Sequence, residues 1–173
     1  TPKLKETPLE RMMTVKIIID ADACPTKEET ITVAKQYDLE VMLVASIAHF
    51  STKKVPNHVS QLWVERGSDQ ADFKIVGIAK PNDIVITQDY GLASMLLPKG
   101  CHVLHHDGYA YTDAIIQKLI DGRHLSAKER RSSKRSRRVK ALHPFADSIQ
   151  MDYKALLVSV IEDIESKQEG NDK

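Results

Sequence analysis

Five short apolar runs recur along the chain, and longer segments with helical periodicity separate them. Runs of this length, rich in valine and isoleucine, are typical of strands that are buried on both faces. Strands that alternate with helices favour a parallel sheet, because each crossover helix returns the chain to the same end. The sequence therefore predicts an α/β fold with helices on both faces of a central parallel sheet. The predicted strands are 15–19, 40–46, 61–64, 84–87 and 102–105.

Four of these strands are each followed by a predicted helix, and a fifth helix is predicted near the C-terminus. The first spans 25–37, with Pro25 at the first helical position and Glu28 and Glu29 in a first turn that favours acids. The next three span 69–80, 92–97 and 113–120, the last ending near Gly122. Residues 148–164 carry an apolar stripe at helical spacing, which predicts an amphipathic helix that packs back on the domain or forms a homodimer contact.

Aspartates stand where the predicted strands end. Asp20 and Asp22 follow the first strand, Asp89 follows the fourth, and Asp69 and Asp72 lie three residues apart at the start of a helix. In open α/β sheets, ligands bind beyond the carboxyl ends of the strands. Crowded carboxylates repel unless a cation lies between them, and Mg²⁺ or Mn²⁺ prefers such oxygen ligands. The pattern predicts a divalent metal site suited to phosphodiester hydrolysis.

Each aspartate also has a simpler structural explanation. Asp69 is suited to cap the helix that it precedes, and Asp22 is suited to cap the helix near Pro25. Asp89, which precedes Tyr90 and Gly91, fits an ordinary turn. The metal-site interpretation therefore depends on several carboxylates meeting at one edge of the sheet.

Three sequence motifs carry a resemblance to a known family. The runs IIIDADACP, ITQDYGLAS and HHDGYAYT resemble the YaiI/YqxD family of uncharacterised bacterial proteins, from about Thr14 to His124 and with the C-terminal helix included. That family in turn resembles the PIN-domain-like nucleases, whose acidic residues bind Mg²⁺ or Mn²⁺. By this likeness Asp20 matches the acid ending the first strand, Asp72 the acid opening the helix before the fourth strand, and Asp89 the group after it.

The resemblance implies a metal-dependent nuclease, most readily a ribonuclease, with Mg²⁺ or Mn²⁺ as cofactor. PIN nucleases carry a further helix acid that has no clear match here, and Asp22 or Asp69 would take its place. The implied metal ligands are Asp20, Asp72 and Asp89. The implied catalytic residues are Asp20, Asp22, Asp72 and Asp89, with Asp69, Ser46 and Thr87 in supporting positions.

Two other functions stay open. Asp20-Ala21-Asp22 also fits a phosphatase of the haloacid-dehalogenase type, with Asp20 as nucleophile and Asp22 as general acid. The run ITQDYG lacks the Gly-Asp pair expected there, and the chain is short for a cap domain. The second alternative is a non-catalytic RNA-binding or ribosome-associated protein.

Positive charge is concentrated in one segment. Residues 128–140 hold eight basic residues and one acid, a charge of +7, and since the whole chain is +1 the remainder carries −6. Seven of these cations fall on one side of a helical wheel, which favours contact with the phosphate backbone of RNA or DNA. They are Lys128, Arg130, Arg131, Lys134, Arg135, Arg137 and Arg138.

The histidines and cysteines give weaker indications. His105, His106 and Asp107 resemble a metal cluster, but adjacent residues of a strand face opposite ways, which favours a structural histidine. His49 and His58 lie in a loop with Lys53 and Lys54, where they could approach a phosphate, but no specific motif indicates it. Two cysteines, no secretory signal and no transmembrane run predict a cytoplasmic protein that does not bind membranes.

The predicted organisation has four parts. They are an N-terminal extension over 1–13, an α/β domain over 14–122, a basic segment over 123–145, and a C-terminal helix with its tail over 146–173.

Overall fold

A computed structural model describes residues 15–67, 69–132 and 150–171, with side chains described over 15–67, 69–122 and 150–168. Six strands form one sheet in the order β3-β2-β1-β4-β5-β6, and all neighbouring pairs are parallel except β5 with β6. The predicted parallel α/β sheet is therefore confirmed. The strands are β1 (Lys16–Asp20), β2 (Glu40–Ser46), β3 (Val59–Val64), β4 (Ile84–Ile86), β5 (His102–His105) and β6 (Tyr109–Ala110).

Helices cover both faces of this sheet. Successive residues of β1 point to opposite faces, and Ile17, Ile18 and Ile19 are all fully buried. Ile17 and Ile19 pack in one core cluster and Ile18 packs in a second. The helices are α1 (Lys27–Gln36), α2 (Gln70–Ile78), α3 (Tyr90–Leu96), α4 (Asp113–Ser132) and α5 (Tyr153–Asn171). Residues of α1 and α5 belong to the first cluster, and residues of α2, α3 and α4 belong to the second.

Two predicted helix boundaries are wrong. Pro25 does not open the first helix, because a 3₁₀ turn over Ala21–Ala23 comes first and Thr26 is the residue before α1. Gly122 does not end the fourth helix, which continues to Ser132. A glycine inside a helix weakens it by about 1 kcal/mol without breaking it. The sixth strand, which runs antiparallel to β5, was not predicted because it contains only two residues.

The C-terminal helix packs back on the domain, which was the first of the two predicted alternatives. Its apolar stripe lies in the same core cluster as Ile31 and Val33 of α1. Two polar contacts fix this packing: the hydroxyls of Thr30 and Tyr153 lie 2.7 Å apart, and the Tyr37 hydroxyl donates to Glu162 at 2.8 Å. Since burial removes its phenolate from water, the pKa of Tyr153 rises to about 12.

Both cysteines, Cys24 and Cys101, are buried free thiols. Among the described residues no helix is long and apolar enough to cross a membrane. The predicted N-terminal extension and the side chains of the basic segment lie outside the described residues.

Candidate active site

The strand order places the switch point of the sheet beside β1. The chain proceeds from β1 through β2 to β3 on one side, and from β4 to β5 on the other. Where the direction of winding changes in an open α/β sheet, the connections at the carboxyl ends diverge and leave a ligand-binding crevice. Asp20 ends β1, and Thr87 directly follows β4. These two residues therefore stand at the switch point of the sheet.

A chain of hydrogen bonds joins the ends of β1 and β4. The buried Thr87 hydroxyl donates to Asp20 Oδ2 at 3.0 Å and accepts from the backbone N–H of Asp89, also at 3.0 Å. Thr87 was predicted only in a supporting position. Its hydroxyl instead holds the Asp20 carboxylate and the Asp89 backbone in fixed relation.

Asp72, in the first turn of α2, joins this pair. Its pKa is raised to about 6, first by burial, then by the negative charges of Asp89 and Asp20, and then by a hydrogen bond with Asp89. The charge of Asp69 adds a smaller contribution. The structure therefore brings Asp20, Asp72 and Asp89 together, from two strand ends and one helix start.

Electrostatic crowding also acts on Asp20. Its pKa is raised, chiefly by burial, with further increases from the charges of Asp22 and Asp89. The hydrogen bond from Thr87 acts in the opposite direction because it stabilises the carboxylate. Asp20 and Asp72 therefore both resist ionisation. A bound cation would stabilise their carboxylate forms.

Asp22 turns toward the loop after β2. Its carboxylate accepts from the backbone N–H of Ser46 at 3.0 and 3.2 Å, and Nδ1 of His49 lies 2.8 Å from its Oδ1. The Ser46 hydroxyl accepts from the N–H of Ala48, so Ser46 supports Asp22 through its backbone and the loop through its side chain. Asp22 therefore borders the acidic group without joining its hydrogen-bond chain.

Of the three aspartates with a simpler structural explanation, only Asp89 caps a helix. Asp69 stands before α2 but makes no side-chain cap, so capping does not explain it. Asp22 does not cap α1, because Thr26 occupies that position. Asp89 does cap α3: its Oδ1 accepts from the N–H groups of Gly91 at 2.8 Å and Leu92 at 3.3 Å. A carboxylate has four lone-pair sites, so Asp89 retains acceptor capacity on Oδ2.

A different group gives the tightest set of possible metal ligands. Among the described residues, the ligand atoms of His105, His106 and Asp107 all lie within 4.8 Å of one another, whereas the aspartates do not meet that spacing. The expectation that the two histidines face apart is wrong: β5 ends at His105, and the ring centroids lie 4.3 Å apart. Nδ1 of His105 accepts from the N–H of Asp107 at 2.9 Å, a bond that a metal at this atom would replace.

Sequence reasoning did not identify Tyr111 as part of this region. Its buried hydroxyl donates to the backbone carbonyl of Thr87 at 3.2 Å. Tyr111 thus fixes the backbone of the residue whose side chain holds Asp20. No local pattern marked it, since the contact joins residues 24 positions apart.

The donor set at the switch point suits a hard divalent cation. Carboxylate oxygens are the ligands of Mg²⁺ and Mn²⁺, and Mg²⁺ usually keeps several waters and takes only one or two carboxylates directly. The ligand atoms of the aspartates are spaced more widely than those of the histidine group. This spacing is compatible with a cation that keeps several water ligands. The seven predicted nucleic-acid-binding cations of the basic segment lie outside the described side chains.

Comparison with known proteins gives one consistent family. The family described as the uncharacterised YaiI/YqxD family matches residues 18–162. A UPF0178 protein of Oceanobacillus iheyensis is 48% identical over 128 residues, covering 74% of this chain and 88% of that protein. A UPF0178 protein of Bacillus mycoides is 44% identical over 147 residues, covering 85% and 99% respectively. No solved structure matches the chain.

Proposed function

The chain belongs to the YaiI/YqxD family, and because the family's description gives no activity, we propose from the geometry of the site that this protein is a metal-dependent nuclease. The main support for this proposal is that three carboxylates lie close together at the switch point of the sheet. Asp20 and Asp89 are joined through Thr87, and Asp72 lies close enough for the charges of both to raise its pKa. The resemblance to PIN-domain-like nucleases, together with the basic segment, favours RNA as the substrate.

In this proposal Asp20, Asp72 and Asp89 hold Mg²⁺ or Mn²⁺. The bound ion would lower the pKa of a water and neutralise charge on the phosphate. Asp20 is the central ligand, since the Thr87 hydroxyl fixes its orientation. Asp89 is positioned by its cap on α3, which leaves its second oxygen for the ion.

The raised pKa of Asp72 gives this residue a second role. A carboxyl group whose pKa is near 6 exchanges its proton near neutral pH. A cation bound at this site would displace that proton, because positive charge favours the carboxylate form, so Asp72 couples metal binding to pH in addition to serving as a ligand. Asp22 and Asp69 border the group and add negative charge that favours cation binding.

The test is divalent-dependent cleavage of a labelled single-stranded RNA by the full chain. With Mn²⁺ we expect cleavage that EDTA abolishes. Asp20→Asn should abolish cleavage, whereas Asp38→Asn, an exposed substitution at a left-handed turn position that asparagine accepts, should leave it unchanged. Cleavage that persists in Asp20→Asn or in EDTA would exclude the proposal.

The same preparation separates the two alternative functions. A non-catalytic RNA-binding protein would bind RNA with strong salt dependence and cleave nothing with any divalent ion. A phosphatase of the haloacid-dehalogenase type would release phosphate from a phosphomonoester and trap a phosphoryl group on Asp20. The hydrogen bonds of Asp22 to Ser46 and His49 hold it toward the loop, which favours the nuclease over that role as general acid.

A further inference from the structure

A cavity of about 400 Å³ lies beside the acidic group. It is bounded by the start of α1, by β2 and β3, and by the loop over residues 47–58 that follows β2. Ile31, Leu43, Ala45 and Trp63 give it an apolar floor. Asp22, two residues beyond Asp20, belongs to its wall. The cavity therefore adjoins the end of β1, where Asp20 lies.

Two aromatic rings mark this cavity. Trp63 lies opposite Ala45 in the register of β2 with β3, and its ring is only partly buried. Phe50 stands next to it with a centroid distance of 5.1 Å and is 58% exposed. A partly buried tryptophan beside an exposed phenylalanine offers a stacking surface for a flat ring, and every nucleic-acid base has such a face.

The rim of the cavity is cationic. Lys27, Lys53 and Lys54 line it, together with His49, against the acids Asp22 and Glu28. In the part of the chain that the structure describes, none of the three lysine side chains pairs with a carboxylate. These three ammonium groups lie together on a chain whose net charge outside residues 128–140 is −6. They match a phosphate backbone that passes across the cavity.

We propose that this cavity holds one nucleotide of a single-stranded nucleic acid, with its base stacked on Trp63 and its phosphates on Lys53, Lys54 and Lys27. The inference rests on the proposed nuclease function and names the subsite beside the scissile phosphate. His49, held against Asp22, lies between the two regions. A duplex would not fit, because its bases are stacked inside and cannot enter a cavity of this kind.

Trp63 is the only tryptophan of the chain and therefore reports occupancy of the cavity by its own emission. The experiment titrates the full chain in EDTA, where the nuclease is inactive, with a short oligouridylate and the matching oligothymidylate. We expect saturable quenching of Trp63 emission by these single strands. A double-stranded oligonucleotide of the same length should leave the emission unchanged.

Two pairs of variants test the binding contacts with a labelled oligouridylate. Lys53→Ala/Lys54→Ala should weaken binding by about tenfold or more, whereas Lys35→Ala/Lys118→Ala, with the same charge change at exposed sites outside the cavity, should change it less than about threefold. Trp63→Leu should weaken it by about 5- to 150-fold, and Trp63→Phe should retain most of the affinity. Because Lys53 and Lys54 are exposed, their variant folds whether or not Trp63→Leu does.

The outcomes separate this inference from the nuclease proposal. Unquenched emission at saturating RNA, or equal losses in the two lysine pairs, would overturn the subsite even if Mn²⁺-dependent cleavage that requires Asp20 is found. Quenching and selective loss with Lys53→Ala/Lys54→Ala, without any cleavage, would support the subsite and exclude the nuclease.

Discussion

The hydroxyl of Thr87 donates a 3.0 Å hydrogen bond to the carboxylate of Asp20, across the boundary between β4 and β1. The same hydroxyl oxygen accepts from the backbone N–H of Asp89. Thr87 is only 2% exposed, so neither bond competes with bulk water. The buried Thr87 side chain thus fixes two of the three proposed metal ligands. It holds Asp20 by its carboxylate and Asp89 by its backbone N–H.

Thr87→Val keeps the shape of this side chain and removes both hydrogen bonds. We expect a loss of about 1–3 kcal/mol in the free energy of unfolding, since two buried polar groups lose a partner. The pKa of Asp20 should rise further, because the Thr87 bond lowers it. Mn²⁺ affinity should fall about 10- to 100-fold. Calorimetric titration with Mn²⁺ measures the last effect, and Thr87→Ser, which keeps the hydroxyl, should restore affinity.

Asp72 should make stability without metal depend on pH. Its pKa in the folded protein is about 6, above the ordinary 3.8, so the folded state favours the protonated form. As pH rises from 3.8 to about 6, the unfolded chain loses this proton first and stability falls. Asp72→Asn should therefore raise Tm relative to the wild type above about pH 6 but not below about pH 4.

Thermal unfolding in EDTA at several pH values measures the difference in Tm between Asp72→Asn and the wild type. Because Asp72 is partly exposed, solvent screening reduces the size of this difference. Mn²⁺ should remove the pH dependence in the wild type and leave Asp72→Asn unaffected. A variant that is less stable than the wild type at neutral pH in EDTA would contradict the electrostatic account of this group.

Local apolar patterns predicted the strands, and the strand ends in turn predicted where the aspartates lie. The apolar run before Asp20 indicates where β1 stops, and parallel strands end at one edge, so Asp20 and Asp89 could be placed together. The same reasoning could not find Tyr111 or the Asp22–His49 contact, which join distant residues through tertiary packing. It misjudged Gly122 because one glycine costs a helix only about 1 kcal/mol, and the good helix formers Leu125, Ala127 and Glu129 follow it.

Asp83 forms a buried ion pair just before β4. It is 1% exposed and contacts Lys16 Nζ at 2.5 Å, and it accepts from the backbone N–H groups of Lys16 and Lys80. Asp83 lies just before β4, at the end of the sheet opposite to the end that carries the acidic group. Asp83→Ala should cost about 3 kcal/mol of stability, because it leaves Lys16 and two N–H groups without this partner.

Chemical denaturation measures that loss. Any cleavage activity per folded molecule should stay unchanged in Asp83→Ala, in contrast to Asp20→Asn. A loss of less than about 1 kcal/mol would show that the Lys16–Asp83 pair contributes little.

Gly108 connects β5 and β6 and anchors the segment before α5. Its φ is +106°, and an added Cβ would lie 1.8 Å from the carbonyl oxygen of Met151. Its own carbonyl accepts from the N–H of Met151 at 2.9 Å. Gly108→Ala should therefore destabilise the protein by about 2 kcal/mol or more and loosen α5. Hydrogen exchange should show faster exchange across 153–164, whereas Gly77→Ala, at an exposed helical site with open space, should be neutral or stabilising.

The basic segment should supply most of the salt dependence of RNA binding. If its seven aligned cations all contact phosphate, the slope of log affinity against log salt would approach about −5 for a single strand. Deleting residues 123–145 should remove most of that slope, because only the cavity lysines would remain as phosphate contacts. Charge-preserving replacement of the five arginines among them by lysine should keep the slope but weaken binding, since guanidinium groups bind phosphate in bidentate fashion. Affinity and slope both unchanged by the deletion would locate RNA binding entirely on the α/β domain.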